Sequence, residues 1–255
     1  MDTAFLGVPD VDAWLFAGLA LAAFCTTILG ILWGTAGGVL LLAILALVFP
    51  PAILVPVHTF VQLGGNAARA AMMRRYVLGE TLLPFTGGAI LGAAAGGMTF
   101  ISLPTVALQG ILGGFILFVT WMPRYGRMGS ERGRFALLGL GATFLGMFVS
   151  ATGTLVTPFV ASASPDRRNH AATMSALMTV SHLAKLAAFG VLGVALASYL
   201  PLVAAMIATA TAGSWVGFRL LHRMPERGFR IILQAVLTVL ALRLLWSAAA
   251  KAGWL

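Results

Sequence analysis

Carboxylates are scarce in this chain, and none lies inside a long apolar run. Of 255 residues only 7 are acidic (Asp2, Asp10, Asp12, Glu80, Glu131, Asp166 and Glu226), all at the N-terminus or at segment ends. Their placement excludes a carboxylate Na+ site, a carboxylate proton relay and a cation-selective acidic ring. Cysteine is rarer still. Cys25 is the only one, which excludes an internal disulfide and a metal site built from several thiolates. The sequence also lacks a Walker A loop, a His-Glu-x-x-His motif and a Gly-x-Ser-x-Gly elbow. ATP-driven pumping and familiar intramembrane hydrolysis therefore have no support, and the chain reads as a non-enzyme with no catalytic residues, cofactor or metal.

What is present is hydrocarbon. Mean hydropathy is +0.99, with 60% hydrophobic and 9% charged residues, against roughly 25% charged in soluble domains. No Asp, Glu, Lys or Arg occurs over 13–68, 81–123, 135–165 or 186–218. Each stretch exceeds the ~20 residues one spanning helix needs. The expected class is an all-α polytopic membrane protein. Its acidic N-terminus lacks the positive region of a cleavable signal, so the first apolar segment is expected to be retained. The net charge of +9 sits mostly in short loops and reads as a topology signal, not a nucleic-acid surface.

The chain repeats across its middle. A shift of 116 lays Gly30, Gly37, Thr59, Asn66 and Arg69 onto Gly146, Gly153, Ser175, His182 and Lys185. Beyond Lys185 the shift becomes 121, matching Gly92, Gly96 and Pro104 to Gly213, Gly217 and Pro225. Five apolar segments are expected per half: 13–33, 36–49, 52–73, 82–101 and 105–122, then 135–149, 155–163, 170–191, 200–218 and 229–249. The second segment of each half is short, as in a half-helix or a re-entrant limb. The domains are a first membrane repeat (1–123), a basic cytoplasmic linker (124–134) and a second membrane repeat (135–255). Basic residues follow the third and fifth segments of the first half (Arg74, Arg75, Arg124, Arg127, Arg132, Arg134) and spare the Pro104 turn. In the second half they crowd the turn matching Pro104 (Arg219, Arg223, Arg227, Arg230). Matched turns on opposite faces make the repeats inverted, with both termini outside. Trp14, Trp121, Trp246, Trp254, Tyr76, Tyr125 and Tyr199 fall near segment ends, as aromatic belts do. The two Gly-xxx-Gly pairs suit close helix packing.

The third segments carry the chemistry. Thr59, Gln62, Asn66 and Arg69 lie on one helical stripe, and Ser175, Met178, His182 and Lys185 form its match. Neutral donors that replace lost water, ending in a cation, suit an anion pathway. The competing reading is that Arg69 snorkels toward Arg74 and Arg75. His182 could donate to an anion, relay a proton or simply pack; His58 is a weaker candidate, and His170 and His222 belong with basic loops. Each half also has a Gly-rich break, Gly34 to Gly38 and Ser150 to Thr154. Gly37, Gly38, Thr152, Gly153 and Thr154 are read as ligand-facing tips, aided by the N-terminus of the following half-helix, with simple hairpin turns as the alternative.

These paired segments, Gly30 to Gly38 followed by Pro50 and Pro51, and Gly146 to Thr154 followed by Pro158, each lead into a Thr- or Ser-bearing helix. In this the chain resembles the TauE/SafE family of membrane permeases, over about 13–249. Where the family usually has three glycines, this chain has Ala36-Gly37-Gly38 and Thr152-Gly153-Thr154; the added hydroxyls either enlarge the donor set or adjust packing. The resemblance implies a multi-pass transporter of the bacterial cytoplasmic (inner) membrane for a small anion, such as sulfite or an organosulfonate like sulfoacetate. The expected function is secondary transport, with one central site between the two repeats. The expected partners are that anion and the lipid bilayer, with homo-oligomerisation left open. Two alternatives stand beside it: a non-transporting scaffold or assembly factor whose polar stripes hold helices together, and a membrane-embedded enzyme using His58 or His182.

Overall fold

The computed structural model describes residues 4–33, 36–121, 132–194, 196–220 and 226–253. Gly34, Thr35, Arg124, Tyr125, Arg127, Glu131, His222, Arg223, Pro225, Trp254 and both terminal residues, all used in the sequence reading, lie outside them. Among the described residues there are ten α-helices and no strand: α1 (Ala13–Trp33), α2 (Ala36–Leu45), α3 (Pro51–Met72), α4 (Gly79–Ser102), α5 (Thr105–Trp121), α6 (Arg132–Val149), α7 (Gly153–Ala163), α8 (Arg167–Val191), α9 (Leu200–Leu220) and α10 (Glu226–Lys251). Five helical stretches are long and apolar enough to cross a membrane: Ala13–Ile31, Gly79–Ser102, Arg167–Val191, Ala197–Gly217 and Gln234–Lys251. The protein is an all-α, multi-pass membrane protein. At 10 and 11 residues, α2 and α7 are only about 15 Å long, half a hydrocarbon core.

Local chemistry sets the ends. Asp12 Oδ1 accepts from Leu15 N at 2.7 Å at the start of α1. Pro51 opens α3, where a missing N–H costs nothing. Asp166 caps α8, accepting from Arg168 N at 2.7 Å and Asn169 N at 2.9 Å. This cap starts α8 at Arg167, three residues before the expected apolar segment. At the other end of its range α2 stops early: Ala46 to Phe49 form a turn, and Phe49 packs edge-on against Tyr199, centroids 5.7 Å apart. Tyr199 is thereby buried, unlike the belt residue the sequence suggests, whereas Trp14, Trp121 and Trp246 are exposed.

The chain forms two compact units. The first comprises Met1–Val61, Thr105–Trp121 and Ala195–Leu255; the second comprises Gln62–Pro104 and Met122–Val194. In the first unit α9 runs parallel to α1. A Cβ on Gly213 would lie 2.5 Å from Phe24 O, and one on Gly217 would lie 3.1 Å from the Ile31 side chain and 3.3 Å from Ile28. α5 and α10 run antiparallel: Gly113 faces Leu245, Gln234 Nε2 donates to Thr120 O at 3.2 Å, and Trp121 Nε1 donates to Thr238 Oγ1 at 3.0 Å.

The second unit repeats the first contact with different side chains. α4 runs parallel to α6, and a Cβ on Gly88 or Gly92 would strike the backbone of Ala136 or Leu140. One on Gly96 would lie 2.8 Å from Met147 Cγ and 2.9 Å from Phe144 O. By the 116-residue shift, Leu140, Phe144 and Met147 correspond to Phe24, Ile28 and Ile31. Small residues at these crossings matter because, in lipid, helix association depends on close van der Waals packing and not on water exclusion. Phe85, Ala89, Phe135, Ala142, Val156, Val160, Leu177 and Met178 form the buried core of this unit, and it fixes the α8 face that carries the site.

Candidate anion site at the break between α6 and α7

α6 ends at Val149, and the backbone reverses through Ser150. Ser150 holds φ at 55°, the left-handed region that an L side chain seldom adopts. Hydrogen bonds hold it there. Its N–H reaches Gly146 O at 2.9 Å, and its carbonyl accepts from Thr152 N at 3.2 Å and from Lys185 Nζ at 3.2 Å. Ser150 is 1% exposed and Lys185 is 0% exposed. A fully buried ammonium is thus held by a single backbone carbonyl, and among the described residues no carboxylate pairs with it.

Two further groups converge on this ammonium. Gly146 is buried, and a Cβ placed on it would lie 3.3 Å from both Cδ and Nζ of Lys185 and 3.4 Å from Thr152 Oγ1. Lysine and threonine therefore flank one point above a bare Cα. Thr152 occupies the position before α7, yet its hydroxyl makes no capping bond. At 1% exposure it has no hydrogen-bond partner among the described residues, and the buried Thr154 hydroxyl has none either. A buried polar atom left unmatched costs about 1–3 kcal/mol. The first turn of α7 adds N–H groups with no acceptor inside the helix and a partial positive charge. Cation, uncommitted hydroxyls and helix N-terminus together make an environment for negative charge.

The α8 stripe reads as the sequence spacing suggests. Ser175, Met178, His182 and Lys185 are all buried. Ser175 Oγ donates to Ala171 O at 2.9 Å within its own helix. His182 lies one turn before Lys185, and on the adjoining flank Thr143 Oγ1 donates to Ser181 Oγ at 3.0 Å, tying α6 to α8 just below the Gly146 contact. His170, which the sequence puts with a basic loop, is half-buried in the first turn of α8, and its enclosed Nδ1 has no partner among the described residues.

The α3 stripe is drier at its start and wetter at its end. Thr59, in the first unit, is fully buried and donates to Val55 O at 2.7 Å. Gln62, Asn66 and Arg69, in the second unit, are half-buried, and Asn66 Nδ2 donates to Gln62 O at 2.8 Å. Arg69 sits three residues from the end of α3, just before Arg74 and Arg75. Gly37 and Gly38 belong to the first unit. Gly37 is packed against α1, where a Cβ would collide with Thr26 O and Gly30, and Gly38 O is hydrogen-bonded to His58 Nε2 at 2.9 Å. Gly153 starts α7 beside Thr152.

Sequence reasoning missed the carbonyl of Ser150 as the partner of Lys185, and Gly146 as the floor of the site. Gly146 matches Gly30 in the repeat, which was the available signal. The grip of His58 on Gly38 was equally hidden, because a carbonyl partner leaves no trace in residue identity.

Helices of spanning length around a buried cation, with no carboxylate paired to it among the described residues, define a polytopic membrane protein. The chain belongs to the sulfite exporter TauE/SafE family, whose profile matches residues 19–244. No curated protein and no solved structure is significantly similar to it.

Proposed function

We propose that the protein is a secondary transporter of the bacterial inner membrane for a small anion, sulfite or an organosulfonate such as sulfoacetate, and that the anion is held by Lys185, Thr152 and the first turn of α7. The observation that carries this reading is the fully buried Lys185 ammonium, bonded among the described residues to the Ser150 carbonyl alone. A charge at such depth costs at least about 2.5 kcal/mol, and a bound anion offsets that cost where a neutral carbonyl does so only in part. Gly153 and Thr154 extend the donor set, and His182, one turn away, lines the approach. Ser175, Gln62, Asn66 and Arg69 supply polar surface in the same unit. Thr59, Gly37 and Gly38 form the matched polar helix and tip of the first unit.

The test is counterflow of labelled sulfite and sulfoacetate in proteoliposomes. Wild type should exchange at least one of them, and Lys185→Ala should not. Exchange of neither would favour the scaffold reading, for which the observation is that Thr143 Oγ1 donates to Ser181 Oγ across α6 and α8. Inverted topology completes the proposal. Cysteines placed at Pro104 and Pro225 should label from opposite faces of the membrane; labelling from one face would refute the inversion.

A further inference from the structure

Charge balance at this site says more than that it takes anions. The elements packed around the Lys185 level are α4, α6 and α7. The only charged residue of α4 is Glu80, in its first turn, and those of α6 are Arg132 and Arg134, likewise in its first turn. The Lys185 level on these helices is instead Gly96 to Gly97 and Gly146 to Met147, roughly three to five turns further along. α7 has no titratable residue at all. On α8 itself Arg167, Arg168 and His170 lie in the first turns, which leaves His182 as the neighbouring titratable group. Arg69, in the same unit, is half-buried at the end of its helix. Among the described residues, the one cationic side chain within the buried shell is therefore Lys185.

We infer that the site takes a singly charged oxyanion, such as a monosulfonate, and discriminates against dianions of the same shape. This rests on the transport reading above and narrows it to hydrogensulfite and monosulfonates, setting aside sulfoacetate, whose carboxylate makes it a dianion. A monoanion neutralises Lys185 and hands its oxygens to the ammonium, the Thr152 hydroxyl and the α7 N–H groups; it replaces the Ser150 carbonyl as lysine's acceptor. A dianion in the same place leaves one negative charge buried without a partner, which is the expensive case in a low-dielectric interior. Gly146 reinforces this by admitting an oxygen close to Nζ, since any side chain there would occupy the point 3.3 Å from the ammonium.

Methanesulfonate and sulfate separate charge from shape: both are tetrahedral at sulfur, and a methyl group replaces one oxygen. Binding of each to the purified full-length protein would be measured calorimetrically at pH 6, where sulfite too is mostly the monoanion hydrogensulfite, beside sulfite counterflow in proteoliposomes at the same pH. The expected result is measurable methanesulfonate binding, with sulfate weaker by about a hundredfold or more. Lys185→Gln should lose methanesulfonate binding, and His182→Arg, which adds a second fixed cation one turn away, should narrow the ratio by raising sulfate affinity. Melting curves identify variants that fail to fold; if His182→Arg is one of them, the wild-type ratio decides alone. Sulfate binding within tenfold of methanesulfonate overturns the monoanion inference while leaving anion transport intact. Sulfite counterflow without methanesulfonate binding overturns it in the same way. If neither anion binds, and counterflow is absent or indifferent to Lys185→Gln, the site itself falls together with the transport reading built on it.

Discussion

Arg69 and Lys185 occupy matched positions in the repeat and live in different physical worlds. Arg69 ends a 22-residue helix three positions from its terminus, only partly buried and followed within six residues by Arg74 and Arg75. Lys185 lies six positions inside the end of a 25-residue helix, fully buried and clasped by a carbonyl from a strained turn. The helix lengths largely account for the contrast. A long guanidinium near a helix end can reach the headgroups, whereas an ammonium nearly two turns deep cannot. Duplication of a cation thus does not duplicate its surroundings, and whether the roles differ can be read from how much each costs to remove.

The largest effect is expected at Lys185. Losing one partner of a buried, hydrogen-bonded charge pair costs about 2–5 kcal/mol, or roughly thirtyfold to several thousandfold in affinity. Lys185→Ala should weaken anion binding within that range, as read by titration of the purified protein. Lys185→Arg tests geometry: it keeps the charge but brings a broad planar fork to a point shaped for an ammonium, so affinity should drop by less than in the alanine variant. Equal affinity of Lys185→Ala and wild type would reduce α8 to a packing helix.

Next come the glycine crossings, which compare the two units directly. Gly92→Ala and Gly213→Ala both drive a methyl into the backbone of a parallel neighbour, Leu140 and Phe24 respectively. Each should destabilise by about 1–3 kcal/mol, the usual cost of overpacking, seen as a lower melting temperature in detergent. Gly110→Ala, where a Cβ meets nothing within 4 Å, should melt as wild type does. A large loss at one glycine and none at the other would show that the matched crossings carry unequal load.

Much of this was legible in advance. The bounds of α1 and the ends of α6, α7 and α8 fall where apolar periodicity and the Gly-rich breaks put them, because in hydrocarbon an apolar run has little choice but helix. Family membership followed from the spacing of those breaks and the prolines after them. The burial of Lys185 was legible too, from its distance to the nearest charged residue along its helix. The contents of the turn were not. Whether Ser150 turns left-handed and offers its carbonyl to a lysine 35 residues away depends on tertiary packing, and a serine in sequence gives no sign of it. Likewise the packing of Gly37 against Thr26 and Gly30 could not be read beside its expected ligand-facing role; a glycine exposes backbone to a ligand and to a neighbouring helix by the same absence of Cβ.

Thr152 should show an intermediate effect. Among the described residues its buried hydroxyl is unmatched, so Thr152→Val would remove the donor proposed for the anion while relieving the protein of an unsatisfied atom. Affinity should fall by about 1 kcal/mol, roughly fivefold, as for one neutral hydrogen bond, and the melting temperature without anion should hold or rise. A fall in both would mean that the hydroxyl serves the fold.

The smallest effect is expected at Arg69, and it decides the opening comparison. If Arg69 snorkels, Arg69→Ala loses only a solvated charge and some packing of its stem, so anion affinity should change by less than about 1 kcal/mol, under sixfold. Raising salt should erase part of even that change, because a partly exposed cation is screened with a Debye length of about 10 Å at 0.1 M, whereas the enclosed Lys185 is not. Titrations of wild type and Arg69→Ala at low and high ionic strength, with chloride first shown not to compete, measure this. A salt-independent loss matching that of Lys185→Ala would place both cations on one anion. The site would then hold two fixed charges, and its discrimination against dianions would have to disappear in the same measurements.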